Sequence, residues 1–333
     1  MNCKLLVILC LLPFIGFSQL GGNYTYAFVN TPASAYENAL GGNVISLRNS
    51  NILLALKNPS LLDSTYSKQF SGTWGSLHIS QTDIGLGSFG YAQTISNKVT
   101  AMCGIHFINY GRFAGYDEQG NSTGNFFASD IEIIFGASYN FYPHVYAGVS
   151  VKPIFSYLES YSSIGILSDW AMSYVNNESF FSTSLILRNL GSQITTYTPN
   201  NFESMPYSID IGFTKKLQHA PFRFSVTYEG LQQFDLSYVD IFNQQTVLIN
   251  QDNSSDDAFT KFRKNFVKHL NVSTELLLFK GFRGLVGLDL KKSQEMWYGT
   301  SKKAVGLSLG FEIKISDVRF SYGWAKQHVA GGT

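Results

Sequence analysis

VGLSLGFEIKI, Val305 to Ile315, decides the fold class. Val305, Leu307, Leu309, Phe311, Ile313 and Ile315 occupy every second position, with Gly306, Ser308, Gly310, Glu312 and Lys314 between them. Successive side chains of a strand point to opposite faces, so the stretch predicts a strand oily on one side and polar on the other. The same period recurs along the chain. Phe222, Phe224, Val226 and Tyr228 alternate with Arg223, Ser225, Thr227 and Glu229, and Val145, Ala147, Val149 and Val151 with Tyr146, Gly148, Ser150 and Lys152. Ile131, Ile133, Phe135, Ala137 and Tyr139 repeat it, as do Tyr207, Ile209, Ile211 and Phe213.

A soluble sandwich alternates too, and the polar face distinguishes the two. A wet sandwich face is dense in Lys and Glu, whereas here it carries Gly, Ser and Thr with isolated charges, as the lumen of a membrane barrel does. Charged residues make up only 14% of the 333-residue chain and aromatics 15%, which suits strands facing lipid. Trp324, Tyr298 and Tyr174 stand near strand ends, where an interfacial girdle would place them. Lys plus Arg is 24 and Asp plus Glu 23, so no positive excess exists to neutralise a phosphate backbone, and nucleic acid is not expected as a partner.

Connection lengths give the topology. Short turns are expected at Ser96 to Lys98, Phe141 to His144, Asn176 to Glu178, Lys216 to Pro221, Lys280 to Phe282 and Ser316 to Asp317. Longer polar loops are expected between them, at Gly111 to Asn125, Gly191 to Met205, Asp240 to Thr260 and Lys292 to Lys302. Alternating short and long connections mark an antiparallel up-and-down barrel. About thirteen strands are counted where bacterial barrels have even numbers, so the chain is expected to stop, at Ala330 to Thr333, before a closing strand.

Residues 1–18 read as a secretory signal: Lys4, then the apolar run Leu5 to Ile15, then Gly16-Phe17-Ser18 as a small-x-small cleavage site. That run is too short to span a bilayer, and Leu9 before Cys10 argues against a lipoprotein. A mature chain from Gln19 keeps Cys103 alone, so no internal disulfide is expected. Residues 19–65 alternate weakly and contain a helix-like stretch near Ala33 to Leu40. Ile52 to Leu56 is too apolar for a solvated tail, so the segment is expected to plug the lumen of a barrel formed by residues 66–333.

Four segments carry a family resemblance: GGNYTYAFVNTPASAYENALGGNVISLRNSNILLALKNPSLL (Gly21 to Leu62), INYGRFAGYDEQGNSTGNFFASD (Ile108 to Asp130), VKPIFSYLESYSSIGI (Val151 to Ile166) and KKLQHAPFRFSVTYEGLQQFDLSY (Lys215 to Tyr238). They resemble the PorQ family of outer-membrane barrels, components of the type IX secretion system of Bacteroidetes. The resemblance implies about fourteen strands and an N-terminal hatch, similar in fold to fatty-acid-transporter-class barrels. Ala39 to Asn43 and Asn58-Pro59-Ser60 fall at the hatch motif, with Ser60 in place of the usual Ala. It further implies an attachment complex in which the barrel anchors a surface-exposed protein beside a sortase-like subunit and a second, shuttling barrel. That complex links cargo to lipopolysaccharide in the outer membrane. The alternative is an outer-membrane transporter for hydrophobic substrates.

Catalytic patterns point elsewhere than catalysis. Gly306-x-Ser308-x-Gly310 matches a nucleophile elbow but lies in mid-strand, and Gly85-x-Gly87-x-x-Gly90 lacks the following helix of a dinucleotide site. No Ser stands three residues before a Lys, and His78, His106, His144, His219, His269 and His328 are scattered. No catalytic, cofactor-binding or metal residue is therefore expected, and no enzyme. The lumen-facing charges by alternation are Asp130, Glu132, Lys152, Asp169, Arg188, Asp210, Arg223, Glu229, Glu275, Asp289, Lys291, Glu312 and Arg319. Buried charges persist chiefly when paired, so a structural network is favoured over a conducting path.

Overall fold

The computed structural model describes residues 24–49, 51–79, 82–234, 258–279, 281–295 and 305–326. The expected signal segment 1–18, most of the loop Asp240 to Thr260, Tyr298 and the end at Ala330 to Thr333 lie outside them.

Among the described residues thirteen strands form one antiparallel sheet in chain order: β1 (Gln69–Ile79), β2 (Thr82–Ser96), β3 (Val99–Tyr116), β4 (Ser122–Tyr142), β5 (Val145–Leu158), β6 (Tyr161–Asn176), β7 (Phe181–Thr195), β8 (Ser208–Lys216), β9 (Phe222–Tyr228), β10 (Leu270–Phe279), β11 (Phe282–Asp289), β12 (Leu307–Ile315) and β13 (Val318–Ala325). The up-and-down order expected from the connections is the one observed. Exposure follows the two-residue period: in β12 Leu309 is 43% exposed while Ser308 and Glu312 are 1% and 2% exposed. Phe135, Trp170, Met172, Phe213 and Phe320 likewise project outward.

Several boundaries differ from expectation. Val305 precedes β12 and is buried, because Gly306 turns the chain in a left-handed conformation (φ 85°) before the strand begins. Gly111 to Asn125 is mostly strand. β3 and β4 stay paired up to Tyr116 and Ser122, and only Asp117 to Asn121 turns, held by bonds from Asn121 and Gln119 to the Asp117 carboxylate. At 18 and 21 residues these strands are about twice the 9–11 residues a bilayer needs, so the hairpin projects well beyond it. β7 likewise runs on to Thr195, inside the expected loop Gly191 to Met205, and a short helix (Leu290–Glu295) occupies the start of Lys292 to Lys302.

The sheet curls around residues 24–66. Helix α1 (Ala35–Ala39) starts where the Ser34 hydroxyl accepts the Glu37 N–H, and α2 (Ile52–Lys57) where the Asn51 side chain accepts that of Leu53. Ile52 to Leu56 are all buried, as an all-apolar helix must be. Asn58 then caps the turn Pro59–Leu61. The segment touches the wall nearly all the way round. Leu56 lies against Gly104 of β3, Ser60 against Gly148 of β5, Ile45 against Gly212 of β8, Leu40 against Gly287 of β11 and Ala35 against Gly323 of β13. Two contacts are backbone to backbone: a Cβ on Gly148 would lie 2.3 Å from the Ser60 nitrogen, and one on Gly323 2.0 Å from the Ala35 carbonyl oxygen. Only glycine allows that approach.

Candidate functional site

The interior is built from charges that strands bring inward and that neighbours neutralise. Lys152 on β5 places its ammonium 2.8 Å from Asp169 on β6 and 3.4 Å from Glu132 on β4, and donates to the Asn189 side chain at 2.5 Å. Asp169 also accepts the Asn189 N–H at 2.8 Å. Arg188 pairs with Asp210 at 3.6 Å and donates to Asn43 of the luminal segment at 2.9 Å. Arg223 pairs with Glu275, to which the Tyr36 hydroxyl also donates, and Arg283 reaches Glu312 at 2.9 Å. Arg319 donates to the Asn49 carbonyl at 2.6 Å, and Asp130 accepts from Tyr110 at 2.7 Å and from Ser156.

Most of the expected lumen-facing charges, though not Asp289 or Lys291, are thus gathered into cross-strand and plug-to-wall contacts. Two of them are not on strands: Glu229 follows the end of β9, and Lys291 lies in α4 (Leu290–Glu295), which follows β11 as α3 (Ala258–Lys268) precedes β10. Arg283 was missed, because it shares its face with buried Leu285, which hides the polar side of β11. Sequence places Asn43 at the hatch motif and Tyr36 in the helix-like stretch but pairs neither of them, nor Asn49, with a wall group, because they lie 145 to 270 residues from the groups they meet.

The plug has titratable groups of its own. Glu37 accepts the Ala33 N–H at 2.7 Å, and burial holds its carboxyl above its ordinary 4.5, with Lys57 pulling the other way. Burial lowers the Lys57 ammonium from its ordinary 10.5, and it donates to the Val29 carbonyl at 2.5 Å. His106 on β3 is also buried, sharing hydrogen bonds with Ser88 on β2 at 2.7 Å and with Thr31 of the plug at 2.8 Å, under the Phe28 ring. Asn58 and Ser60, at the hatch motif, are tied together: the Asn58 side-chain oxygen accepts from the Ser60 hydroxyl, which lies 2.6 Å from that of Ser173 on β6.

Ser308 sits inside a regular strand, opposite Ala325 and Gly287, where no strand-to-helix elbow exists to present it. Gly85, Gly87 and Gly90 are likewise strand residues of β2, and a Cβ on Gly90 would meet Ile52 and Leu56.

Two cavities lie where β1 and β13 face each other. Among the described residues β1 pairs with β2 and β13 with β12, not with one another. A cavity of about 590 Å³ runs along this seam toward the short-turn end, between Gln69 to Thr73 of β1 and Val318 to Ser321, with Tyr36 and Ile52 in its floor. The second, about 300 Å³, has a mostly apolar surface from Ala27, Pro32 and Ala35 of the plug and Trp74, Leu77, Leu86 and Ile108 of β1 to β3, with the polar Asn30, Thr31, Ser34, Asn38, Thr73 and Lys292 also on its lining. It reaches β13 at Gly323.

The chain is similar in fold to solved structures over most of its length. The toluene transporter TbuX of Ralstonia pickettii superposes with a TM-score of 0.52 at 10% identity, over 92% of this chain and 96% of that one. The fold is that of outer-membrane channel barrels. A deltaS2 mutant of TodX, a monoaromatic hydrocarbon channel, gives 0.51 at 12% identity, over 88% and 92%. No family model and no curated protein matches the chain. The expected antiparallel up-and-down membrane barrel is therefore met at the level of fold.

Proposed function

We propose that this chain is an outer-membrane barrel that admits a small hydrophobic molecule through the cavity beside β1. The apolar lining of that cavity carries the reading. Its volume of about 300 Å³ is roughly twice the ~150 Å³ of an engineered apolar cavity that binds benzene, so a one- or two-ring hydrocarbon fits. The likeness in fold to toluene and monoaromatic-hydrocarbon channels points the same way. The chain does no chemistry in this reading: it binds and passes its ligand unchanged.

The test is calorimetric titration of the purified protein in detergent with toluene. Saturable binding is expected, weakened at least tenfold by Leu86→Phe or Ile108→Phe, each of which fills the cavity. Absence of saturable binding to a folded wild-type protein would refute the reading.

One observation favours a second function. The backbone approaches at Gly148 and Gly323 and the plug-to-wall hydrogen bonds of Tyr36, Asn43 and Asn49 make the lumen a packed interior, which suits an anchor. In that role the barrel would hold a surface-exposed secretion-system protein next to a sortase-like subunit and a shuttling barrel, as the sequence resemblance implies, near the lipopolysaccharide that receives cargo. Affinity purification from native outer membrane should then retain those proteins. Recovery of the barrel alone would count against it.

A further inference from the structure

Helix α3 (Ala258–Lys268) stands outside the sheet, at the loop end between β9 and β10, against α4. Its sequence AFTKFRKNFVK carries no acidic residue. Phe259, Phe262 and Phe266 recur at the i, i+3, i+7 spacing of one helical face, and in the sequence Lys261, Lys264 and Lys268 fall about half a helical turn out of phase with them. The apolar face is uncovered: the three phenylalanines are 71%, 54% and 40% exposed. It is also continuous with the outer wall. The Phe266 ring lies 5.3 Å from Tyr228, the last residue of the outward column Phe222, Phe224, Val226 and Tyr228 on β9, and Phe262 stacks 5.2 Å from Phe234.

An exposed aromatic face that prolongs a lipid-facing column, on a helix whose charged residues are all basic, matches the boundary between acyl chains and anionic headgroups. We infer that α3 is an interfacial anchor, lying along the outer leaflet with Phe259, Phe262 and Phe266 among acyl chains and its lysines on anionic lipid headgroups. This rests on the outer-membrane placement proposed above. A protein partner is the less favoured occupant, because the face runs on without a break from the β9 surface that already meets lipid.

The test uses the full chain with Cys3, Cys10 and Cys103 changed to Ser, spin-labelled at Phe262→Cys and reconstituted in phosphatidylethanolamine vesicles with and without a tenth of phosphatidylglycerol. With the anionic lipid, the label is expected to be relaxed severalfold more by oxygen than by a water-soluble nickel chelate. That preference should fall when the anionic lipid is left out, or when Lys261, Lys264 and Lys268 are all changed to Gln. Preferential relaxation by nickel, protection from both agents, or indifference to lipid charge would each overturn the inference. A label at Phe311→Cys, on the outward face of β12, separates the two failures. Nickel access at Phe262 alone overturns the anchor, and nickel access at both positions overturns the membrane placement as well.

Discussion

Removing the Lys152 ammonium leaves Glu132 and Asp169 buried with no counter-charge between them. Breaking a buried pair by deleting one partner typically costs about 3–5 kcal/mol, whereas replacing the whole group by neutral residues costs little. Lys152→Met is therefore expected to lower the temperature at which the folded band disappears in a heat-modifiability gel, and adding Glu132→Gln with Asp169→Asn to restore much of it. On the other face, Leu309→Arg puts a charge toward lipid at a cost of about 2–4 kcal/mol and should prevent assembly where Leu309→Ala does not. Ser308→Arg is not the tolerant counterpart that a water-filled lumen would allow, because the Ser308 hydroxyl lies within 2.6 Å of where a Cβ on Gly287 would stand and the plug backbone is as close. Glu37 adds a pH dependence. Below about 4.5 its carboxyl is protonated in both folded and unfolded chains; above it the unfolded chain ionises while the buried group keeps its proton, so stability falls as pH rises through that window. Glu37→Gln keeps the acceptor for the Ala33 N–H without the ionisation. Its unfolding midpoint should vary less with pH above 4.5 than that of the wild type, and an equal slope would assign the dependence to other groups.

At the scale of elements, the hold of the plug on the wall depends on residues that have no side chain. Gly148 on β5 admits the Asn58 to Ser60 turn, and Gly323 on β13 admits the first turn of α1. Gly148→Val would drive two methyl groups into the Ser60 backbone, and the turn must move because the wall strand is paired on both sides. In planar bilayers the wild type is expected to pass little steady current, Gly148→Val to show intermittent openings, and deletion of Gly21 to Leu62 a stable pore. A large stable current through the intact protein would contradict the plug.

At the scale of the molecule, the sheet is unequal along its length. β3 to β6 have long neighbours on both sides, while β1 and β13 are each paired on one side among the described residues. Unpaired backbone groups exchange fast unless another partner covers them. Hydrogen exchange in detergent should therefore be fastest in peptides from β1 and β13 and slowest in those from β4 to β6. Equal protection would mean that the seam is covered in solution.

Sequence alone determined what depends on neighbours two positions apart. The lipid and lumen faces of β5, β9 and β12, the up-and-down order and the inward charges all follow from the two-residue period and the alternation of short and long connections, which are local properties of the chain. Tertiary structure decided what depends on residues far apart in the chain. Which carboxylate each Lys or Arg meets is set by the register of neighbouring strands, and why Gly148 and Gly323 must be glycine and where an apolar cavity remains beside β1 are set by the plug meeting the wall over separations of up to about 290 residues. A side chain's period reports which way it points. The partner it finds there is fixed only when the sheet curls round the plug and the packed interior leaves one arrangement of neighbours.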